Sequence, residues 1–521
     1  MGEVESQMKH EDFSAAPAPL FSALQKAADS GRTSFHMPGN RGGKVFPAPF
    51  SCGFASLETT ELEISDDLNE PTGPALLAEE KAAAFFGSGK SLFFTSGSTV
   101  AIYAMLATAL PPGSRVAASA TLHRAFAQAA ALLDLEIVFL PMKVPERGEE
   151  ARGDCPSVSR SPLPVIDTPR ALQLLEKTEG LHALIFSAPD YYGHVDLPQE
   201  LLETAHARGL AVLCDEAHGA AFAAAADIFP QTALARGVDL CVQSAHKTLP
   251  ALAPASLLHL SQTYLRRCPA AVRRAVAARK LFQTSSPSFP IGASLDFARA
   301  FLENGECRQK IQALRDHMTL LSQELPPDFQ VLPAGPEDDP LRLVISYRNS
   351  GFGLRELSSG LSRLGIDIEM ADFSRLVLIP SLDQPREDFV RLSAALHTLS
   401  REQAESSRGE EARATRLEEE ASGDRAERDL QRWLCRPRTS LKPRAAAFRG
   451  LFAETDCSEA LLQKEQGDAS FCVTSAIAPY PPGIPLWLPG EQITQRELRR
   501  LLDLQAEGLH IPPFTLEKLS E

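Results

Sequence analysis

Lys247 is the side chain in this sequence best placed to act as a nucleophile. It lies in the segment Ser244-Ala-His-Lys-Thr-Leu249, directly after an apolar run that ends at Gln243. A lysine amine beside a buried strand end loses proton affinity and can form a Schiff base with an aldehyde. The hydroxyl of Ser244 can hold a phosphate group of the same molecule. The alternative interpretation is an exposed lysine that simply follows a strand.

Asp215 begins a second segment, Asp215-Glu-Ala-His-Gly219, which follows an apolar run ending at Cys214. A carboxylate at a buried strand end requires a cation or hydrogen bonds. The protonated nitrogen of a pyridine ring is such a cation, and its charge makes the ring an electron sink. The small side chain of Ala217 leaves room for a flat ring against the backbone. Alternatively, Asp215 caps the next helix.

A third segment, Thr95-Ser-Gly-Ser-Thr99, is a glycine turn that opens a predicted helix. Free N–H groups and the positive end of the helix dipole at such a turn favour phosphate. Gly97, Ser98 and Thr99 are therefore candidate phosphate ligands, although Ser and Thr are also ordinary helix caps. Phosphate turn, acid and lysine follow one another here in the order of pyridoxal-phosphate (PLP) enzymes with the aspartate aminotransferase fold.

Short apolar runs alternate with helix-like stretches between about residues 57 and 300. This pattern predicts an α/β fold with a mostly parallel sheet covered on both faces. Ligands of such sheets bind beyond the carboxyl ends of the strands, so we expect the turns after Thr95, Cys214 and Gln243 to meet in one region. The predicted strands are residues 92–95, 115–119, 135–140, 183–186, 210–214 and 240–243.

The rest of the chain predicts further units. Residues 143–167 are polar and rich in Pro and Gly, which indicates a surface insertion. Residues 400–430 carry charges of both signs, which indicates a solvated helix or a linker. The predicted divisions are an N-terminal segment (1–56), a PLP-binding large domain (57–300), a small α/β domain (301–400) with strands near 343–346 and 376–379, a charged linker or insertion (401–435) and a C-terminal domain (436–521).

Composition excludes several classes of function. The net charge of −15 argues against nucleic acid as a partner, because phosphate binding needs a surplus of Lys and Arg. The nine cysteines form no Cys-x-x-Cys pair, so we predict neither a metal site nor a redox dithiol. No run approaches the roughly 18 apolar residues of a membrane helix, and the N-terminus shows no secretory signal. These features predict a cytoplasmic protein.

Longer stretches resemble one family on the PLP-enzyme fold, the bacterial ornithine/lysine/arginine decarboxylases. The cofactor segments that begin at Asp215 and Ser244 match that family's motifs. The other segments that resemble the family are Phe35-His-Met-Pro-Gly39, Thr60-Glu-Leu62, Asp66-Asp-Leu-Asn-Glu-Pro-Thr-Gly73, Gln283-Thr-Ser-Ser-Pro-Ser288, Ala293-Ser-Leu-Asp296, Pro479-Tyr-Pro-Pro-Gly-Ile-Pro485 and Pro489-Gly-Glu491.

The resemblance implies PLP as the cofactor and a role for individual side chains. Lys247 would hold PLP as a Schiff base, and Asp215 would pair with the pyridine nitrogen. His123 would stack on the ring, and His218 would contact the substrate or the ring oxygen. The catalytic residues would thus be Lys247, His218 and Asp215. The phosphate ligands would be Gly97, Ser98, Thr99, Ser244 and His246.

The resemblance also implies an activity and an assembly. The substrate would be a basic amino acid, with arginine favoured, agmatine as its product and lysine or ornithine as alternatives, in polyamine biosynthesis. Thr284 and Ser285 would reach the phosphate of a neighbouring subunit in a homodimer or larger homo-oligomer. Another PLP activity such as transamination and a catalytically silent paralogue are the alternatives. The side chain of a basic substrate needs acidic partners, for which Glu61, Asp66, Asp67 and Glu70 form a candidate pool, with a solvated acidic loop as the favoured alternative for most of them.

The sequence departs from the family pattern at a few positions. Asn40 stands where a second histidine is usual, and Asp190 stands where a threonine usually precedes two tyrosines. His123-Arg-Ala125 replaces His-Lys-Ser, and Ala120-Thr121 replaces an Arg-Asn pair. These departures leave the cofactor motifs intact and bear on the substrate. The His-x-Pro-Gly segment begins at residue 36, so we expect no N-terminal wing, as in the shorter arginine/lysine branch.

Overall fold

The computed structural model of the protein describes residues 33–35, 47, 66–145, 160–303, 305–406, 410–450, 470–480 and 483–518. The side chains of residues 34, 410–422, 449–450 and 517–518 lie outside this description. The strands are β1 (Thr33–Phe35), β2 (Lys90–Phe94), β3 (Arg115–Ala118), β4 (Glu136–Phe139), β5 (Met142–Lys143), β6 (Val165–Ile166), β7 (Leu181–Ser187), β8 (Ala211–Asp215), β9 (Leu240–Gln243), β10 (Ser256–Leu260), β11 (Gln330–Val331), β12 (Leu343–Ser346), β13 (Ile366–Ile368), β14 (Met370–Ala371), β15 (Arg375–Leu378), β16 (Ser470–Val473), β17 (Gln492–Thr494) and β18 (Leu516–Lys518). The α-helices are α1 (Pro74–Phe86), α2 (Gly97–Ala109), α3 (Arg124–Leu132), α4 (Thr168–Lys177), α5 (Gln199–Ala207), α6 (Ala245–Thr248), α7 (Gln262–Arg267), α8 (Ala271–Phe282), α9 (Phe289–Glu303), α10 (Gly305–Glu324), α11 (Leu354–Arg363), α12 (Arg386–Ser406), α13 (Glu410–Cys435), α14 (Arg444–Gly450) and α15 (Gln495–Ala506).

Seven strands form the central sheet in the order β2-β10-β9-β8-β7-β3-β4. The pairs from β9 to β4 are parallel, and β10 runs antiparallel to both of its neighbours. The predicted α/β fold with a mostly parallel sheet is therefore confirmed. Its strands are apolar runs such as Leu92–Phe94, which are buried because helices including α2 and α5 pack against the sheet. Each fully buried Leu or Phe side chain stabilises the fold by about 1.5–3 kcal/mol.

The strand directions bring the three sequence segments to one edge of the sheet. Strands β2 and β9 are both antiparallel to β10, and β8 is parallel to β9. The carboxyl ends of β2, β8 and β9 therefore lie on the same edge. The glycine turn follows β2, Asp215 ends β8 and Ser244 follows β9. This is the edge at which α/β sheets bind their ligands.

A smaller antiparallel sheet, in the order β11-β12-β15-β14, follows the central one along the chain. Its strands β12 and β15 correspond to the predicted strands near 343–346 and 376–379. Helices α12 and α10 pack together, and α12 also contacts α11. Strand β1 pairs in parallel with β13, so the N-terminal part of the chain joins this unit.

The charged segment around residues 400–430 is helical, but it is not wholly solvated. Helix α13 ends at Cys435, and Ala426 in its C-terminal half is fully buried. Glu427 pairs with the buried guanidinium of Arg375 at 3.1 Å, and Asp424 pairs with Arg348. The interpretation as a solvated helix or linker is wrong for this half, because its acidic side chains serve buried arginines of the small sheet.

The C-terminal unit is a three-stranded sheet, β17-β16-β18, with α15 beside it. Thr494 begins α15 with a capping box, in which its side chain accepts from the Glu497 backbone and the Glu497 side chain accepts in return. The unit reaches the large domain, since the carbonyl of Gly483 accepts a hydrogen bond from the Arg124 backbone at 2.9 Å. The predicted insertion over 143–167 lies partly outside the described residues, and its ends pair as β5 and β6.

Within the described ranges, no helix combines the length and the apolar character needed to cross a bilayer.

Candidate active site

The glycine turn after β2 has the backbone geometry of a close-approach site. Gly97 adopts a φ of 90°, and a Cβ at this position would lie 3.4 Å from Pro254. Such a left-handed conformation is costly for any residue with a side chain. Gly97 begins helix α2, so the free N–H groups of its first turn and the half-buried Ser98 and Thr99 face the sheet edge together.

Asp215 ends β8 as a buried carboxylate. Its Oδ1 accepts a hydrogen bond from the backbone N–H of Ala217 at 3.2 Å. Burial raises the pKa of the Asp215 carboxyl, and the nearby charge of Lys247 opposes that rise. Asp215 does not cap a following α-helix, because the chain beyond it forms turns up to a short 3-10 turn at Phe222–Ala224. Because a buried charge is costly when it is unpaired, the charged form of Asp215 requires a cationic partner at the sheet edge.

Lys247 is half-buried in the short helix α6, and its Nζ lies 3.0 Å from Nε2 of His218. Burial lowers the pKa of the Lys247 amine to about 8, with Arg342 lowering it further and Asp215 and Glu369 opposing the shift. Burial also lowers the pKa of His218 well below its ordinary value. The lysine is thus not the exposed residue of the alternative interpretation. It has the environment of a nucleophilic amine.

The neighbours of Lys247 on α6 are arranged around the same strand end. His246 donates from Nδ1 to the carbonyl of Ala255 at 2.9 Å, and burial lowers its pKa. The hydroxyls of Ser244 and Thr248 are buried and have no hydrogen-bond partner among the described residues. A buried hydroxyl without a partner is costly, so these groups indicate a ligand with acceptor atoms.

His123 directly precedes α3, and its ring packs against the C-terminal unit. Its Nδ1 accepts from the backbone N–H of Ala125 at 3.2 Å. A Cβ on Gly483 would lie 2.9 Å from the His123 Nε2, so the glycine backbone packs directly against the ring. Burial, together with the charges of Lys247 and Arg124, lowers the pKa of His123 to about 4. The ring is therefore neutral and fixed, as a stacking surface requires.

A cavity of about 660 Å³ joins most of these side chains. Among the predicted site residues, it is lined by Ser98, His123, Asp215, His218 and Lys247. Gly97, Thr99, Ser244 and His246 are not among its lining residues, although Gly97 and Thr99 adjoin Ser98 in the chain and His246 adjoins Lys247. The cavity is also lined by Ile102, Thr121, Ser187, Pro189, Asp190, Tyr191, Ala217, Tyr480 and Ile484.

None of the described members of the acidic pool lines this cavity, and their contacts fit the alternative of an acidic loop. The carboxylate of Asp66 accepts four backbone N–H groups around the start of α1, with distances of 2.7–3.1 Å. Asp67 accepts from the backbone of Asn69 at 2.7 Å, and Glu70 pairs with Lys280 at the surface. These carboxylates hold a turn together. Glu61 lies outside the described residues.

The departures from the family pattern have structural explanations where they are described. Asp190 accepts from the backbones of Tyr192 at 2.8 Å and His194 at 2.9 Å, so its carboxylate supports the turn that carries Tyr191. The guanidinium of Arg124 lies over the Tyr480 ring, 5.0 Å from its centroid. Asn40 lies outside the described residues.

Three side chains of the site were missed from the sequence. The ring of Tyr191 meets the His218 ring edge-on at 4.9 Å, and its hydroxyl donates to Glu369. Arg342 is buried with Nη2 at 3.2 Å from His218 Nδ1. Arg342 and Glu369 belong to the small sheet, about 95 and 120 residues beyond Lys247. The available signal was a charged residue inside an apolar stretch, Leu-Arg342-Leu and Ile-Glu369-Met.

Known proteins are similar to this chain in sequence and in fold. The family described as "Orn/Lys/Arg decarboxylase, major domain" matches residues 18–326. The chain belongs to this decarboxylase family. It is 31% identical to the Bacillus subtilis (strain 168) protein named "Uncharacterized protein YaaO", over 95% of both chains. This decarboxylase is also 24% identical to the arginine decarboxylase of Bacillus cereus, over 92% of its own chain and 98% of that relative.

Solved structures show the same fold as this decarboxylase. The Escherichia coli constitutive lysine decarboxylase aligns with a TM-score of 0.65 at 20% identity, covering 96% of this chain and 79% of the other. The serine palmitoyltransferase of S. paucimobilis aligns with a TM-score of 0.51 at 14% identity, covering 73% and 96%. The family consists of PLP-dependent amino-acid decarboxylases, and this chain is one of them.

The described residues fit PLP. Ser244 contributes a buried hydroxyl without a partner among them, and Gly97 leaves the first turn of α2 open to a phosphate. The amine of Lys247 and the carboxylate of Asp215 line the same cavity, where the one can bind an aldehyde and the other a ring cation. The exposed Thr284 and Ser285 lie on the surface instead, so their contact with a partner's phosphate stays a prediction.

Proposed function

We propose that this enzyme removes carbon dioxide from a basic amino acid, with arginine favoured and agmatine as its product. Lysine and ornithine are the alternative substrates. The observation that carries the proposal is the half-buried Lys247, whose amine lies 3.0 Å from His218 in a cavity that Asp215 also lines. The proposal keeps the cytoplasmic location and the role in polyamine biosynthesis that the family resemblance implies.

The proposed roles follow from what each side chain can hold or donate. PLP, when bound, supplies the electron sink for the pair that remains on the α-carbon when carbon dioxide leaves. Lys247 Nζ binds the cofactor, and the Asp215 carboxylate balances the charge of a protonated ring nitrogen. His123 gives the ring a flat, neutral surface. Lys247 Nζ and His218 Nε2 are the groups within reach to return a proton to the α-carbon.

The proposed partner of the substrate's distal cation is Glu369. Its carboxylate accepts the hydroxyl of Tyr191, which lines the cavity, and its charge acts on the Lys247 amine. A carboxylate bound to a guanidinium or an ammonium makes a charge-assisted hydrogen bond. Such a bond contributes about 1.5–3 kcal/mol. Glu369 does not itself line the cavity, but its negative charge behind Tyr191 favours a basic side chain there over an acidic or apolar one.

This assignment predicts a loss of substrate affinity in Glu369→Gln. Glutamine keeps the size of the side chain and removes the charge, so KM for the basic amino acid should rise by roughly 10- to 100-fold. The value of kcat should change less, since the distal group is remote from the bond that breaks. The measurement is amine formation from arginine, lysine and ornithine, each supplied separately.

Glu70→Gln is the matched control, because Glu70 is an exposed acid outside the cavity that pairs with Lys280. Its KM should equal that of the unaltered enzyme. Equal KM changes in both variants would contradict the role of Glu369. Release of a keto acid without carbon dioxide, or no amine from any of the three substrates, would contradict decarboxylation of a basic amino acid.

The proposal also includes a homodimer with the active site at the subunit interface. Thr284 is exposed, and its backbone carbonyl accepts from Asn69 at 3.1 Å, which holds the segment at the surface in position to meet a partner. Light scattering of the PLP-loaded enzyme should therefore give at least twice the chain mass of 56.4 kDa. A fully active species with the mass of one chain would contradict this part of the proposal.

A further inference from the structure

Arg342 connects the small sheet to the reactive amine through a single histidine. It directly precedes β12, and its guanidinium is buried. Nη2 of Arg342 lies 3.2 Å from His218 Nδ1, and His218 Nε2 lies 3.0 Å from Lys247 Nζ. The three side chains therefore form one hydrogen-bonded line from the small sheet to the amine.

The direction of these hydrogen bonds follows from what a guanidinium can do. A guanidinium only donates, so His218 Nδ1 accepts and carries no proton. The neutral imidazole ring then carries its proton on Nε2. This N–H points at Lys247 Nζ, which can accept only with the lone pair of a neutral amine. The opposite tautomer would place an Nδ1–H against the Arg342 donors, which is a repulsive contact.

We propose that Arg342 is a positioning residue that holds His218 in the Nε2–H tautomer, so that His218 donates to a neutral Lys247 amine. The inference rests on the proposed function of Lys247 as the amine that binds PLP. Only a neutral amine attacks an aldehyde, so the arrangement prepares the lysine for cofactor capture. Arg342 contributes without touching the reacting atoms.

The surroundings hold Arg342 in this position. Its backbone carbonyl accepts the guanidinium of Arg160, and the neighbouring Asp339 donates from its backbone to the carbonyl of Gly193 at 2.8 Å. Gly193 adopts a φ of 93°, and a Cβ there would lie 3.0 Å from the Arg342 side chain. The arginine therefore reaches His218 only because this position has no side chain. The Asp339 carboxylate, 3.9 Å from Nη2, partly balances the buried charge.

Further titratable groups surround this line. They act on the pKa of His218 or Lys247 from the large domain and from the small sheet, and they are His123, Asp215, His246 and Glu369. The neutral state of His218 follows chiefly from burial, which lowers its pKa. Which nitrogen bears the proton, however, is decided by the groups in hydrogen-bond contact, Arg342 and Lys247.

The test is the 15N chemical shift of the His218 ring nitrogens in the full-length enzyme freed of PLP, assigned with a His218→Gln sample. We expect an unprotonated Nδ1 and a protonated Nε2 in the unaltered protein. A protonated Nδ1 there would overturn the proposal without any variant. Arg342→Met should give a mixture of tautomers, and Arg342→Lys, which keeps a donor, should restore much of the original pattern.

A second readout is the pH at which the PLP-free enzyme captures PLP, followed by the visible absorbance of the product. Arg342→Met removes a nearby positive charge, so we expect the midpoint to move upward by roughly one pH unit. Arg348→Met is the matched control, since Arg348 follows the same strand β12, pairs with Asp424 and Glu427, and has no hydrogen bond to His218, Lys247 or Arg342. It should lower stability and leave both readouts unchanged.

Different outcomes test the role of Arg342 and the proposed function of Lys247. Unchanged His218 shifts and an unchanged midpoint in Arg342→Met would overturn the role of Arg342, whatever Lys247 does. Equal changes in Arg348→Met would overturn it as well, because the effect would then be structural. Capture of PLP with the same absorbance by Lys247→Ala would instead overturn the proposed function of the lysine, on which the inference rests.

Discussion

Lys247→Ala is expected to abolish amine formation and the visible absorbance of the PLP-loaded enzyme together. Lys247 carries the amine that lines the cavity with Asp215, and alanine at this position has no group that could bind the cofactor covalently. Removal of a covalent catalytic group lowers kcat by at least roughly 10³-fold. The measurements are carbon dioxide release and the absorbance spectrum after dialysis against PLP.

Lys280→Ala is the control for this variant. Lys280 is half-exposed and pairs with Glu70 at the surface, so its loss should cost at most about 1 kcal/mol of stability. Its activity and spectrum should match those of the unaltered enzyme. A retained absorbance band in Lys247→Ala, in a protein with unchanged circular dichroism, would show that another amine holds the cofactor.

Asp215→Asn should keep PLP bound at Lys247 and still lower kcat by roughly 10²- to 10³-fold, the range for loss of one preorganised electrostatic group. Asparagine fills the same space, but it cannot balance the charge of a protonated ring nitrogen. The cofactor would then be a weaker electron sink. The measurements are PLP content per chain, the absorbance spectrum and kcat with a saturating basic amino acid.

Asp239→Asn provides a buried control at the opposite end of the sheet. Asp239 directly precedes β9, where its carboxylate accepts from the backbone of Val212 at 2.9 Å and pairs with Arg267. This variant should lose about 1–3 kcal/mol of stability, because it leaves buried donors without their charged acceptor. The kcat of the folded fraction should stay the same. Equal losses of kcat in both variants would contradict the specific role of Asp215.

Local sequence patterns were sufficient for the elements that carry the cofactor motifs. The apolar runs at 92–95, 210–214 and 240–243 predicted buried strands, and β2, β8 and β9 end within one residue of the predicted ends. A strand of a mostly parallel sheet is buried on both faces, so a continuous apolar run in the sequence predicts such a strand reliably. The chemistry placed at the ends of these strands could therefore be grouped from the residue pattern alone.

Local sequence patterns did not predict the role of residues whose partners lie elsewhere in the chain. Asp66 looked like a candidate for substrate binding, yet four backbone N–H groups occupy its oxygens. Ala426 and Glu427 lie in a run of charges, yet they are buried against the small sheet. In both cases the sequence shows the charge of the residue but not the donors that surround it.

The sequence by itself determined the α/β fold, the order of the cofactor motifs and the edge of the sheet at which they meet, because strand polarity and hydrophobic periodicity are local properties. Only the tertiary structure decided which side chains face Lys247. Arg342 acts on it through His218 and Glu369 acts on it through its charge, both from positions next to strands β12 and β14, and the Gly483 backbone of the C-terminal unit packs against His123. These contacts depend on how separately folded layers pack, and no local pattern of residues encodes that geometry.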